Sequence, residues 1–345
     1  MEISLKILGI ETSCDDTAAS VVEDGSFVHS NIVASQADIH ANFGGIVPEV
    51  ASRQHMTTLV PVITRALVEA NLELGQLDGV AVTNGPGLAG SLLIGLNTAK
   101  GLAMAKDLPF IGINHLEGHI YAAWLEGLDP GVEPGFPLLC LIASGGHTDL
   151  ILMHEHGNFN LIARSRDDAA GEAFDKGARV LGLGFPGGPE IQRVAENANG
   201  YEAPFPRPQV KDSLDFSFSG LKTSLLRRAQ DRGWYPLDPN VEHDPKEIAT
   251  VAAAYQTAII DTLVSGTLKA LEKYHARGVL LGGGVAANTL LRQVITEKSP
   301  VPVVVPKPAL CTDNGAMIGG AAWFRLRNGR QAQWDLDVIP NLRLG

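Results

Sequence analysis

The chain has 345 residues, 45% of them hydrophobic and 19% charged, with a formal net charge of −11. That length fits two domains or one large two-lobed one, and that composition supports a large core and excludes wholesale disorder. The negative balance excludes a chain that grips nucleic acid by bulk charge, while leaving room for a local basic groove or a basic partner.

The three cysteines, Cys14, Cys140 and Cys311, are odd in number and widely spaced. They form neither a disulfide framework nor a zinc knuckle, so a reducing cytosol is the default. The first residues, with Glu2 and Lys6 ahead of a short apolar strand, lack the apolar run of a signal peptide. Residues 79–99 are uncharged but contain Asn84-Gly85-Pro86-Gly87, which reads as strand, turn and helix and not as a membrane span. The expectation is a cytoplasmic protein without a membrane partner.

In chain order, 6–11 reads as a buried strand running into the small polar loop Thr12-Ser13-Cys14-Asp15-Asp16-Thr17. Residues 18–23 are a second strand, Asp24-Gly25 a hairpin turn, and 27–34 a third strand. Residues 48–71 have helical periodicity, with Pro48 at the start. A strand over 79–83, a helix over 91–106 and a strand over 110–113 follow. The second half begins again with a buried strand over 138–143, the loop Ser144-Gly145-Gly146-His147-Thr148 and strands over 149–153 and 159–164. After an insertion come a long helix over 246–274, a strand over 279–281 ending in Gly282-Gly283-Gly284, a helix over 286–296, a strand over 301–305 and a helix over 313–327.

Both halves thus read strand, strand, strand, helix, strand, helix, strand, helix. The order repeats although the residues do not, which predicts an α/β, two-lobed duplicated fold with a cleft between the lobes. Residues 1–133 form the first lobe, with a C-terminal helix at about 313–345 packing back on it; 134–312 form the second, with a helical insertion at about 166–245.

Asn114-His115-Leu116-Glu117-Gly118-His119 opens the helix after the last strand of the first half. Histidines four apart lie about 40° from each other on one helix face, a spacing that suits a divalent metal. The plainer alternative is a pair of ordinary helix-surface histidines. Glu117 falls about 200° from His115. A zinc peptidase helix, H-E-x-x-H, sets its glutamate beside the first histidine; here it comes one place too late.

The duplication supplies a third ligand. The position equivalent to the histidines is Cys311-Thr312-Asp313-Asn314, where Asp313 can act either as helix cap or as metal ligand, and the pseudo-symmetry favours the ligand. The Asp15-Asp16-Thr17 and Gly145-Gly146-His147-Thr148 loops hold equivalent places. Their small residues let backbone N–H groups approach phosphate oxygens, though each alone could be a turn. Gly282-Gly283-Gly284-Val285-Ala286-Ala287-Asn288 has room for a flat ring, and Asn288 could read a nucleoside.

The two-lobed plan resembles the actin, sugar-kinase and Hsp70 ATPase superfamily. Within it, Gly9-Ile10-Glu11-Thr12-Ser13-Cys14-Asp15, the His115 motif, Ser144-Gly145-Gly146-His147-Thr148, Asp167-Asp168-Ala169-Ala170-Gly171-Glu172-Ala173-Phe174-Asp175-Lys176, Phe216-Ser217-Phe218-Ser219-Gly220-Leu221-Lys222 and Cys311-Thr312-Asp313-Asn314-Gly315-Ala316-Met317 resemble one family. It is the bacterial-type catalytic subunit of tRNA threonylcarbamoyladenosine synthase, formerly labelled a glycoprotease.

The resemblance implies an acyltransferase that moves a threonylcarbamoyl group from threonylcarbamoyl-AMP to the exocyclic amine of adenosine 37, in tRNAs reading codons that begin with A, releasing AMP. It implies one divalent metal per subunit, iron(II) or alternatively zinc, on His115, His119 and Asp313. It places the donor at Ile142, Ala143, Ser144, Gly145, Gly146, Asp175, Gly188 and Asn288. Many members carry an acid four places after Gly188, and this chain has Gln192, so a ribose contact there falls to the amide or is lost. The implied partners are tRNA, a degenerate paralogous subunit and a small ATPase.

Because AMP is a good leaving group, no enzyme nucleophile is needed; the attacking amine must lose a proton. Asp15 and His147 are the candidate bases, with a loop-capping carboxylate and a loop-ordering hydrogen bond as their plain alternatives. Arg207, Lys211, Lys222, Arg227 and Arg228, with Phe205, Phe216 and Phe218 among them, form a candidate tRNA surface or a solvated basic face. The rival readings are a small-molecule kinase of the same superfamily, a metallopeptidase using Glu117, and a non-enzymatic nucleotide-binding paralogue.

Overall fold

The computed structural model describes residues 4–125, 134–208, 210–238, 241 and 243–344. The chain divides into two compact units, one of Met1–Glu133, Glu155–Phe159 and Pro306–Gly345, the other of Pro134–His154 and Asn160–Val305.

In the first unit, β1 (Lys6–Glu11), β2 (Asp16–Glu23) and β3 (Phe27–Ser35) form an antiparallel meander. Asp24 and Gly25 both have positive φ (52° and 71°), in a loop that is three residues long rather than the two expected, since Glu23 pairs with Phe27 and Ser26 joins the turn. A short helix α1 (Ala37–Ala41) precedes α2 (Pro48–Glu69). Then come β4 (Gly79–Gly85), α3 (Ala89–Lys106), β5 (Phe110–Asn114) and α4 (His115–Tyr121). The sheet order is β3-β2-β1-β4-β5, with β4 and β5 parallel to β1.

Alternation along β1 decides which face meets what. Leu8 and Ile10 point into a core shared with Leu59 and Ile63 of α2 and Leu96 of α3. Gly9 points the other way, and a methyl group there would stand 2.2 Å from Gly315 O and 2.5 Å from Gly319 N. The backbone of the C-terminal helix therefore lies directly on the sheet.

The second unit repeats the plan. It contains β6 (Leu138–Ala143), β7 (Thr148–Glu155), β8 (Asn158–Arg164), α5 (Ala170–Val180), α6 (Gly187–Ala195), α7 (Ser219–Asp231), α8 (Pro245–Tyr274), β9 (Gly278–Gly282), α9 (Thr289–Lys298) and β10 (Val303–Val304). Its sheet order, β10-β9-β6-β7-β8, is that of the first unit with β6 in the place of β1. The parallel pairs β6–β9 and β9–β10 and the antiparallel pair β6–β7 match as well. Helix α8 is long and apolar enough to cross a membrane, but 61% of its most apolar window is buried, as befits a core helix. The chain then returns to the first unit as α10 (Pro308–Cys311) and α11 (Gly315–Leu326).

The expected helix over 286–296 begins three residues later, at Thr289. A 3-10 turn over Gly284–Ala287 comes first, and the Asn288 side chain caps α9 by accepting from Leu291 N at 3.1 Å. The expected strand over 301–305 shrinks to Val303–Val304, because Pro302 has no N–H to give. The short helices α1 and α10, five and four residues long, are below what periodicity can register.

Candidate functional site

Helix α4 starts at His115, directly after Asn114, the last residue of β5. Asn114 Oδ1 accepts from Leu116 N at 2.9 Å, which caps the helix and brings His115 and His119 onto one face. Both rings are buried, with centroids 4.7 Å apart. Asp313 Oδ1 lies 3.5 Å from His115 Nε2 and 3.2 Å from His119 Nε2. One ligand atom from each of the three residues falls within 4.8 Å of the others.

Asp313 does not cap α11. Asn314 does, accepting from Met317 N at 3.0 Å and donating to Thr312 O at 2.7 Å and Leu310 O at 3.3 Å. The capping reading of Asp313 is thus overturned by its neighbour, and its carboxylate faces the histidines.

Behind His115 stands a residue that the sequence reading left without a role. Glu11 Oε2 is 3.0 Å from His115 Nδ1, and Ser13 Oγ is 3.1 Å from the same nitrogen. Thr83 Oγ1 donates to Glu11 Oε2 at 2.5 Å, and Ser13 N donates to Glu11 Oε1. A carboxylate on one imidazole nitrogen fixes the ring so that the other nitrogen faces the ligand point. The only local signal was an acid closing an apolar strand.

The electrostatics favour a cation here. Burial alone would depress the His115 imidazolium, but the Asp313 and Glu11 carboxylates hold it up at about 9. Glu11 is lowered despite full burial because His115 faces it, while burial depresses His119. Burial and the Asp313 charge raise Asp15, and they push Asp16 up to about 7. Among the described residues, the buried His119 Nδ1 has no hydrogen-bond partner and Nε2 has only the 3.2 Å approach of Asp313 Oδ1, without hydrogen-bond geometry. Two imidazoles, one carboxylate and an unsatisfied buried nitrogen fit a divalent metal with open positions.

Glu117 is turned away from this point. It is wholly buried and gripped by Arg325, whose Nε donates to Oε1 at 2.9 Å and whose second nitrogen donates to Oε2. It is an ion-pair partner and not a base beside the ligand point, which removes the geometric support for a peptidase.

In the second unit, Ile142 and Ala143 are buried at the end of β6 and lead into the glycine loop. Ser144 N donates to His147 O at 2.8 Å, and His147 N donates to Ser144 Oγ at 3.1 Å. Gly283 holds the loop from beneath; its φ is +84°, and a methyl there would sit 2.4 Å from Ala143 O. Gly145 and Gly146 are exposed with nothing within 4 Å of an added methyl, and neither has positive φ. Neither strain nor packing asks for glycine at these two places, but a ligand approaching the backbone would.

A sequence model of the tRNA N6-adenosine threonylcarbamoyltransferases matches residues 27–320. The chain belongs to that family. A relative of the same name from Thermomicrobium roseum is 53% identical over 98% of this chain and 96% of its own length. One from Dehalococcoides mccartyi is 51% identical over 98% and 99%. Among solved structures, component A of (R)-2-hydroxyglutaryl-CoA dehydratase from Acidaminococcus fermentans superposes with a TM-score of 0.55 at 15% identity, covering 94% of this chain and 98% of that one. At that identity the likeness concerns fold alone, and the fold is the duplicated actin, sugar-kinase and Hsp70 ATPase type.

Family membership in a transferase favours the acyl-transfer reading over the kinase and peptidase alternatives. The remaining positions singled out in the threonylcarbamoyltransferase motifs are placed as follows. Asp175 Oδ1 accepts from Gly187 N at 2.7 Å, at the start of α6, and a methyl on the adjacent Gly188 would meet nothing within 4 Å. Asn288 gives its Nδ2 to Gln256 Oε1 at 2.9 Å besides capping α9. Gln192 Oε1 accepts from Thr289 N at 2.9 Å, tying α6 to α9.

The aromatic part of the basic cluster does not line a surface. Phe205, Phe216 and Phe218 are core residues, at 2%, 2% and 0% exposure, and cannot stack on bases. Arg207 pairs with Asp261 at 2.7 Å; Arg228 pairs with Glu202 at 2.7 Å and lies 3.7 Å over the Phe205 ring. Arg228 ties two parts of the insertion together, and Arg207 ties it to α8. The interleaving of Phe205 with Arg207 and Arg228 is thus a cation–π and ion-pair arrangement, while Lys211 and Arg227 stay exposed.

Proposed function

We propose that the chain transfers the threonylcarbamoyl group of threonylcarbamoyl-AMP to the exocyclic amine of adenosine 37 in tRNAs reading codons that begin with A. The observation that carries the reading is the convergence of His115, His119 and Asp313 on one buried point in a chain of this family. The amine nitrogen attacks the carbamoyl carbonyl carbon of the donor. The bond from that carbon to the phosphate oxygen breaks, AMP leaves, and the amine gives up a proton.

His115, His119 and Asp313 would hold the metal, iron(II) or zinc. When bound, it offers positive charge to a donor phosphate or carbonyl oxygen. Asp15 is the favoured base, because burial and Asp313 raise its carboxyl toward a range useful for proton transfer; His147 is the second candidate. The exposed N–H groups of Gly145 and Gly146 suit phosphate oxygens, with Ile142, Ala143 and Ser144 supporting them. Asp175, Gly188 and Asn288 are the proposed contacts to the rest of the adenylate. A chain at −11 needs help to hold tRNA, which supports a paralogous subunit and a small ATPase as partners. An odd count of three widely spaced cysteines, Cys14, Cys140 and Cys311, suits a cytoplasmic setting.

The test is product formation. The chain and its partners are incubated with unmodified tRNA, threonine, bicarbonate and ATP, and the digested tRNA is searched by mass for threonylcarbamoyladenosine. Wild type is expected to give product and His115→Ala none. Absence of product with wild type would sink the activity, and full product from His115→Ala would sink the metal site.

A further inference from the structure

We infer that the half-buried Glu117–Arg325 pair, its carboxylate end buried and its guanidinium partly exposed, is a register latch that sets the spacing of the three ligand side chains. The inference rests on the proposed metal reading of His115, His119 and Asp313.

Glu117 lies about 200° around α4 from His115, so it holds the helix on the side away from the ligand point. Its partner stands on α11, the helix that begins two residues after Asp313. The same two helices touch in between. A methyl on Gly118 would stand 2.9 Å from Ile318 Cδ1 and 3.1 Å from Met317 Cγ. Thus α4 is fixed to α11 at Gly118 and at Glu117, and the helix that carries two ligands is locked to the one that follows the third.

The geometry calls for such a lock. Side chains ride at a radius of about 5–6 Å, so a rotation of about 10° would move an imidazole nitrogen by about 1 Å. Metal–ligand distances tolerate only about 0.2 Å. The planar, two-pronged guanidinium resists rotation in a way that a lysine ammonium does not.

Stability alone is a weak reason for this pair. Burial raises the Glu117 carboxyl, and Arg325, with Arg330 beyond it, only partly offsets that. Ion pairs whose carboxylate is buried can often be exchanged for apolar side chains at little cost to folding. A fixed helix register is what the apolar exchange would lose.

The experiment uses the full chain stripped of metal. Zinc(II) affinity is measured by competition with a chromophoric chelator, cobalt(II) spectra report ligand geometry, and thermal unfolding is followed without metal. The variants are Glu117→Leu with Arg325→Met, Arg325→Lys alone and Glu117→Gln alone. The double variant is expected to unfold at the wild-type temperature or above, yet to bind zinc about 10–100-fold more weakly with an altered cobalt spectrum. Arg325→Lys, which keeps the charge and loses the fork, is expected to fall between. Wild-type zinc affinity in the double variant overturns the latch. If the double variant fails to fold, Arg325→Lys and Glu117→Gln decide: unchanged affinity in both overturns it, and weakened affinity supports it. Wild type that takes up neither zinc nor cobalt would instead defeat the metal reading on which the latch rests.

Discussion

Metal-free protein is expected to lose stability as pH rises from 7 to 9, against the usual plateau there. In the folded state His115 is held at about 9 by Asp313 and Glu11, against 6.5 for a free imidazole. A histidine with a raised folded pKa stabilises fully below its unfolded value, and the stabilisation vanishes as pH climbs through the folded one. Between pH 7 and 9 the loss is about 2 kcal/mol, or about 4–8 °C in unfolding temperature for a unit of this size. Asp16, raised to about 7, adds only the tail of its own titration in the same direction. Burial also pushes the Cys14 and Cys140 thiols up, so they stay neutral in the folded state while their unfolded forms begin to ionise near pH 9, adding a smaller loss in the same direction at the top of the window. The assay is thermal unfolding of chelator-stripped protein across pH 7–9, alongside protein saturated with zinc. Metal binding needs neutral imidazole, so zinc should remove the slope and its affinity should rise with pH across the same range. Metal-free stability that is flat or increasing over pH 7–9 would refute the coupling of His115 to the two carboxylates.

Gly145→Ala and Gly146→Ala place methyls in open space, so unfolding should shift by no more than about 0.5 kcal/mol. Their effect should appear in the donor's KM, and unchanged KM in both would remove the loop from the donor site. Gly9→Ala drives a methyl into the backbone of α11 and should cost at least about 1–3 kcal/mol by denaturant unfolding, with weakened zinc binding because α11 follows Asp313.

Much of the fold was legible because it rests on short-range signals. Lys6–Glu11 and Leu138–Ala143 are apolar runs of strand length, and the Asp24-Gly25 turn fixes its own backbone by positive φ. Such features need no knowledge of distant residues. The duplication emerged from the order of elements and is matched by the two strand orders. Boundaries failed where a turn imitates a helix, as at Gly284–Ala287, or where two neighbours can both cap, as Asp313 and Asn314 can. Two adjacent capping side chains are equivalent in sequence; only the bond from Met317 N to Asn314 separates them.

The candidate site was half legible for a related reason. A histidine pair at helical spacing is a local pattern, but what makes it a ligand pair is not. Glu11 reaches His115 across the sheet from β1, and Asp313 reaches it from the far end of the chain. That second approach depends on glycines with no chemistry of their own: without bare backbone at Gly9 and Gly315, α11 could not lie on the strands. The phenylalanines of the insertion show the converse error. Phe216 and Phe218 among arginines have the composition of a nucleic-acid surface, yet burial directs them inward and leaves Arg207 and Arg228 to pair with acids and carbonyls. Composition near a charge cluster therefore says little until burial is known, whereas a short spacing rule supported by a duplicated architecture can point to a candidate ligand at the opposite end of the sequence.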